Sequence, residues 1–103
     1  MNKTFFAPIT LCTQQPHNEM SVGHRIVGCF ENFLLARTCV LENLGDIYEN
    51  GYYEHAIIEE LPFRLYPIPE QQFYYHWETD QSGKGVYVSK PFPEYLKGQL
   101  FFS

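Results

Sequence analysis

Asn32-Phe33-Leu34-Leu35-Ala36-Arg37-Thr38-Cys39-Val40-Leu41-Glu42-Asn43-Leu44-Gly45 is the stretch whose periodicity sets the architecture. At about 100° per residue, Phe33, Ala36, Val40, Leu41 and Leu44 gather on one arc, with Thr38 and Glu42 opposite. Asn32 has the short polar side chain that caps a helix start, and Gly45 tolerates the left-handed backbone that ends one, so a helix is predicted over Phe33–Leu44. Leu34, Leu35 and Cys39 fall outside the arc. A lone helix on a sheet leaves its far side in water, so Leu34 and Leu35 are out of place unless something covers them. They are therefore candidate contact residues for a protein partner or a homodimer.

On both sides of the helix the period changes to two. Before it, Phe5, Ala7, Ile9 and Leu11 alternate with Thr4, Pro8 and Thr10, giving a first strand that Pro8 places at a sheet edge. Gln14 to Gly23 is polar and reads as a long loop, and His24 to Phe30 as a second strand. After the helix, Asn50-Gly51 marks a turn. Tyr52 to Leu61 is a third strand whose centre, Ala56-Ile57-Ile58, is apolar on both faces as an interior strand requires. Gln72 to Thr79 alternates most cleanly, with Phe73, Tyr75 and Trp77 inward and Tyr74 and His76 outward. The turn Asp80–Gly85 returns it as a hairpin through Val86 to Lys90, with Val86 and Val88 inward. Glu94 to Lys97 reads as one helical turn and Gln99 to Phe102 as a short last strand. The order β-β-α-β-β-β defines an α+β fold: two layers, one main helix on a mostly antiparallel sheet of about five strands, in one domain over residues 1–103.

Composition narrows the function classes. Hydrophobic residues are 45% and charged residues 18%, enough apolar material for a packed core. The net charge of −5, with no run of Lys or Arg, argues against nucleic acid or an anionic membrane as partner and leaves room for a basic protein. No stretch is apolar enough for a bilayer span, and Pro8 and Thr10 interrupt any leader-like core. Three cysteines, Cys12, Cys29 and Cys39, fit reduced thiols in a cytoplasmic protein, although Cys12 and Cys29 are able to approach if their strands pair.

Catalytic and cofactor patterns fail on spacing. Asp46, Glu49, Asn50 and Glu54 supply hard oxygens, but Tyr48 and Ile57 occupy positions where a calcium loop needs ligands. His17, His24, His55 and His76 show no short metal-ligand spacing; His55 and His76 fall on neighbouring strands and only the fold brings them together. Glu59 and Glu60 are adjacent on a strand and face opposite sides, which rules out an acid-base pair. Ser82-Gly83-Lys84-Gly85 lacks a phosphate-loop spacing and a following helix. The expectation is a non-enzymatic binding or regulatory protein with no cofactor and no assigned metal. Its candidate residues are Leu34, Leu35, Tyr74 and His76 for a protein contact. The alternative is a small-ligand site for a sugar, a nucleotide or a metal ion, built from Tyr48, Tyr52, Arg64 and Tyr66, with Trp77 beside them.

Arg25-Ile26-Val27-Gly28-Cys29-Phe30, then Ala36 and Val40, then Gly45-Asp46-Ile47-Tyr48-Glu49-Asn50-Gly51-Tyr52-Tyr53, Ala56-Ile57-Ile58-Glu59-Glu60 and Leu65-Tyr66-Pro67 resemble a family of small uncharacterised bacterial and phage-associated proteins. The resemblance spans residues 24–78 and implies a compact intracellular α+β unit with no activity to carry over. The chain departs from that family at Leu34 and Leu35, which stand where it has acidic residues.

Overall fold

The computed structural model describes residues 4–14, 21–64 and 67–102. His17 and Tyr66, and most of the loop expected after Gln14, lie outside them. The strands are β1 (Thr4–Gln14), β2 (Ser21–Ile26), β3 (His55–Pro62), β4 (Gln71–Thr79) and β5 (Gly85–Ser89), and the helix α1 is Phe33–Leu41. They form a five-stranded, wholly antiparallel sheet in the order β2-β1-β3-β4-β5 with α1 against one face, an α+β fold in the expected element order.

β1 is interior, against the edge position inferred from Pro8. A proline lacks the N–H an interior strand needs on both sides, and the sheet accommodates it with a bulge. Phe6 exchanges backbone hydrogen bonds with Phe30 at 2.7 and 2.8 Å, and Ile9 faces Ile26, so Val27, Gly28 and Cys29 oppose only Ala7 and Pro8. The nitrogen of Pro8 faces this irregular stretch, while its carbonyl accepts from Val27 N at 3.0 Å. β3 lies at the centre as predicted: Ala56, Ile57 and Ile58 are fully buried.

α1 begins where its cap predicts, with Leu35 N–H donating to Asn32 Oδ1 at 2.9 Å, but it stops three residues early. Asn43, not Gly45, takes the first left-handed position, with φ 47°; its N–H donates to the Val40 carbonyl, and that of Leu44 to Cys39. That pair of bonds is a Schellman closure, and Asn tolerates its backbone because its short side chain bonds locally. Here Asn43 Oδ1 accepts from Tyr48 N at 2.9 Å. Leu44, beyond the helix end, is exposed, and the buried face is Ala36, Cys39 and Val40, with Leu34 and Leu35 exposed. This face packs on Ala56, Ile58, Tyr75 and Tyr87. The inward residue of β5 is thus Tyr87; Val86, expected inward, is exposed on the other side.

The sheet's second face has its own cover. Residues 92–102 cross it as a strap: a 3-10 turn, Glu94–Leu96, followed by irregular chain rather than the expected strand. Leu96 and Phe101 bury Ile9, Leu11, Ile57 and Tyr74 beneath them. Glu59, fully buried on this face, fastens the strap by accepting from the backbone N–H of Phe101 at 3.1 Å and of Phe102 at 3.2 Å, and from Gln72 Nε2 at 2.7 Å. A buried carboxylate without a cation is expensive, and three N–H donors are what satisfy it here.

Candidate metal centre

The register of β3 with β4 sets His55 directly opposite His76, and the period of two turns both side chains to the strap-covered face. Glu54 precedes β3, where its carbonyl extends the ladder by accepting from Trp77 N at 2.9 Å. Its carboxylate reaches both rings: Oε1 is 3.5 Å from His55 Nε2 and Oε2 is 3.6 Å from His76 Nε2. One ligand atom from each of the three residues lies within 4.8 Å of the others, the group of His, Cys, Asp or Glu side chains close enough for a metal among the described residues.

The second nitrogen of each ring is engaged. His55 Nδ1 is 2.6 Å from the Tyr74 hydroxyl. Burial holds the Tyr74 hydroxyl far above its usual range. The His55 side chain is 3% exposed, and that burial lowers its pKa from the ordinary 6.5, against the opposing pull of Glu54. His76 Nδ1 is 2.9 Å from Glu78 Oε2; this bond, with Lys90 nearby, holds the Glu78 carboxyl below its usual range. An ionised carboxylate only accepts, so His76 donates from Nδ1 and, when neutral, has its lone pair on Nε2.

Two imidazole Nε2 atoms and a carboxylate therefore converge, each imidazole oriented by a hydrogen bond at its far nitrogen, as ligating histidines are in metal sites. Metal bonds of about 2.0–2.2 Å in tetrahedral geometry place ligand atoms about 3.4 Å apart. Each imidazole Nε2 lies about that distance from one of the two Glu54 oxygens, at 3.5 Å and 3.6 Å. The donor set suits zinc and neighbouring divalent transition metals rather than calcium or magnesium. Glu54 and His76 are partly exposed at 46% and 33%, which gives an ion a path from solvent and leaves room for water as a further ligand.

The other sequence candidates are dispersed. Tyr74 is on the expected face but is covered by the strap, with Phe92 5.9 Å from its ring. Tyr48 stacks flat on Trp77, centroids 3.7 Å apart, and belongs to the helix-side packing. Tyr52 is exposed, with its ring edge-on to that of Tyr53. Tyr52 and the exposed Arg64 flank opposite ends of β3, which eight residues stretch to about 26 Å, so the tyrosine groove with Arg64 is not assembled. Leu34 and Leu35 lie on the outer side of α1, away from this face. All three cysteines are free, with Gly23, not Cys29, opposite Cys12. Sequence reasoning weighed His55 with His76, and Glu54 only within an acidic calcium loop; it did not join Glu54 or Glu78 to the histidines. The available signal was an acid-histidine pair, Glu54-His55, facing His76-x-Glu78 on a neighbouring strand, legible only once the register is known.

Among the described residues, no helix is long and apolar enough to cross a membrane. Compared with known proteins, the chain matches no family model, no curated protein and no solved structure.

Proposed function

We propose that the protein is a non-enzymatic binding domain whose ligand is a divalent transition-metal ion, with zinc the best fit, held by Glu54, His55 and His76. On this reading the domain is a two-layer unit, helix over sheet, and its second face does the binding. The observation that supports it is the convergence of two Nε2 atoms on one carboxylate, with both Nδ1 atoms hydrogen-bonded away from the centre. Calorimetric titration of untagged, chelator-treated protein with zinc should give one site per chain, and cobalt should develop the visible bands of a low-coordinate ion. His76→Ala removes a ligand without emptying the core and should weaken binding at least 100-fold. Wild-type protein giving neither heat nor cobalt bands at neutral pH would defeat the reading.

A protein contact through the helix is the second reading, supported by Leu34 at 68% and Leu35 at 49% exposure. An open apolar groove of about 410 Å³ begins one turn earlier, at Phe30 and Glu31, and runs between Phe5 and Phe63. A homodimer or protein partner seated there would cover both. Light scattering of wild type and Leu35→Glu tests the homodimer, which is lost if both give the monomer mass. Free thiols accord with a reducing, cytoplasmic setting for either reading.

A further inference from the structure

We infer that the proposed metal site is asymmetric, with Glu78 a positioning residue that makes His76 the stronger of the two imidazole ligands and Lys90 a restraint on that effect. The inference rests on the metal-binding reading and assigns two further residues to the same site.

The two histidines are backed by different chemistry. His76 Nδ1 lies 2.9 Å from Glu78 Oε2, a carboxylate, whereas the group 2.6 Å from His55 Nδ1 is the neutral hydroxyl of Tyr74. A carboxylate that accepts an imidazole N–H draws the proton toward itself and leaves the opposite nitrogen richer in electrons; a hydroxyl does this less. The strand period sets this up, since His76 and Glu78 are two residues apart on β4 and share a face. The ring is thus held between two carboxylates, with Glu78 behind Nδ1 and Glu54 3.6 Å from Nε2. His76 and Glu54 are also the partly exposed members of the group, so an entering ion meets this half first, and the buried His55 closes on it.

Lys90 approaches the same carboxylate from the neighbouring chain. It follows β5, and its N–H donates to the Tyr74 carbonyl at 3.1 Å, which continues the β4–β5 ladder and fixes where the side chain starts. Its ammonium lies 3.9 Å from Glu78 Oε2, the oxygen that also serves His76. A cation at that oxygen competes with the imidazole N–H for its electron density. Glu78 therefore strengthens His76, and Lys90 limits by how much.

Glu78 and Lys90 are exposed, so their substitution leaves the core packing intact. Chelator competition should show Glu78→Ala losing about 10–100-fold in zinc affinity, the range found for outer partners of ligating histidines. Glu78→Gln keeps an oxygen to accept from Nδ1 but no charge, and should fall between Glu78→Ala and wild type. Lys90→Met should bind zinc about two- to fivefold more tightly, the size of an exposed charge pair, and that gain should vanish in the Glu78→Gln background. A merely structural glutamate would move the melting temperature without separating Gln from Ala in zinc affinity. Unchanged affinity in both Glu78 variants of a protein that binds zinc overturns the positioning role and leaves the metal reading standing. A Lys90→Met gain that persists without the Glu78 carboxylate means that the lysine acts on the ion directly, and overturns the role assigned to it. A wild type that binds no zinc overturns the inference and the metal reading together.

Discussion

Replacing Glu59 by Gln keeps the side chain's size and removes its charge at the point where the strap meets the sheet. The carboxylate accepts three N–H groups, two from the strap backbone and one from Gln72. An amide offers one oxygen, and its NH2 turns donors toward whichever N–H remains. At least one charge-assisted bond is lost and one buried donor is orphaned. With about 1.5–3 kcal/mol for a hydrogen bond to a charged group and a further penalty for the orphan, the expected destabilisation is about 2–4 kcal/mol. For a domain of this size that is a melting temperature lower by roughly 10–25 °C. Urea unfolding followed by the fluorescence of Trp77, the sole tryptophan, measures it, with Glu60→Gln as control. Glu60 is half-buried, and the bond it accepts is a 3.1 Å contact from the Thr4 hydroxyl, so its variant should lose under about 1 kcal/mol. If the two variants were equally stable, Glu59 would not be the strap's anchor and the account of the second face would be wrong.

Other substitutions probe other joints. Gly85 lies under the Trp77 indole, where an added Cβ would come within 2.6 Å of Cζ2, so Gly85→Ala should destabilise by about 1–3 kcal/mol and shift tryptophan emission as the ring leaves its stack on Tyr48. Asn43→Ala puts a residue without a local hydrogen bond at φ 47° and orphans the Tyr48 N–H, costing about 1–2 kcal/mol in chemical denaturation. Alkaline stability follows from Tyr74, Tyr75 and Tyr87, whose hydroxyls are all raised above the ordinary 10, chiefly by burial. The unfolded tyrosines lose protons near pH 10 and the folded ones do not, so these groups leave stability unchanged below that pH and erode it above. The slope approaches about 4 kcal/mol per pH unit if all three act together, and Tyr87→Phe should reduce it in denaturation series from pH 9 to 11.5.

The helix, the interior strand and the β4–β5 hairpin were legible because each rests on local pattern: the Asn32 cap, the Ala56-Ile57-Ile58 run, and the alternation of Phe73, Tyr75 and Trp77. Pro8 misled because the rule that places proline at an edge has an exception where the neighbouring strand bulges, and the bulge at Val27–Cys29 has no local signature. The helix end was misplaced because Asn43 and Gly45 both accept a left-handed backbone, and the chain takes it first at Asn43. Tyr74 was correctly assigned to the face away from the helix, but not as buried, since nothing in its own strand announces that residues 92–102 return across it. The proposed metal site was hidden for a related reason. Glu54 precedes β3, His55 opens it and His76 is on β4, so the group comes together only at a particular register.

The pairing of β1 with β3 bears on how fast the chain reaches this state. β3, β4 and β5 form a meander of near neighbours, and β1 meets β2 across a short connection, so both halves can zip locally. Their junction cannot: its partners, from Thr4 with Pro62 to Leu11 with His55, lie roughly 50 residues apart, and closing that gap sacrifices chain entropy before any contact rewards it. Docking of the two ready-made pieces is then the slow event, and until it happens Ile57 and Ile58 sit on an unpaired strand edge, the moment at which the chain is most open to aggregation.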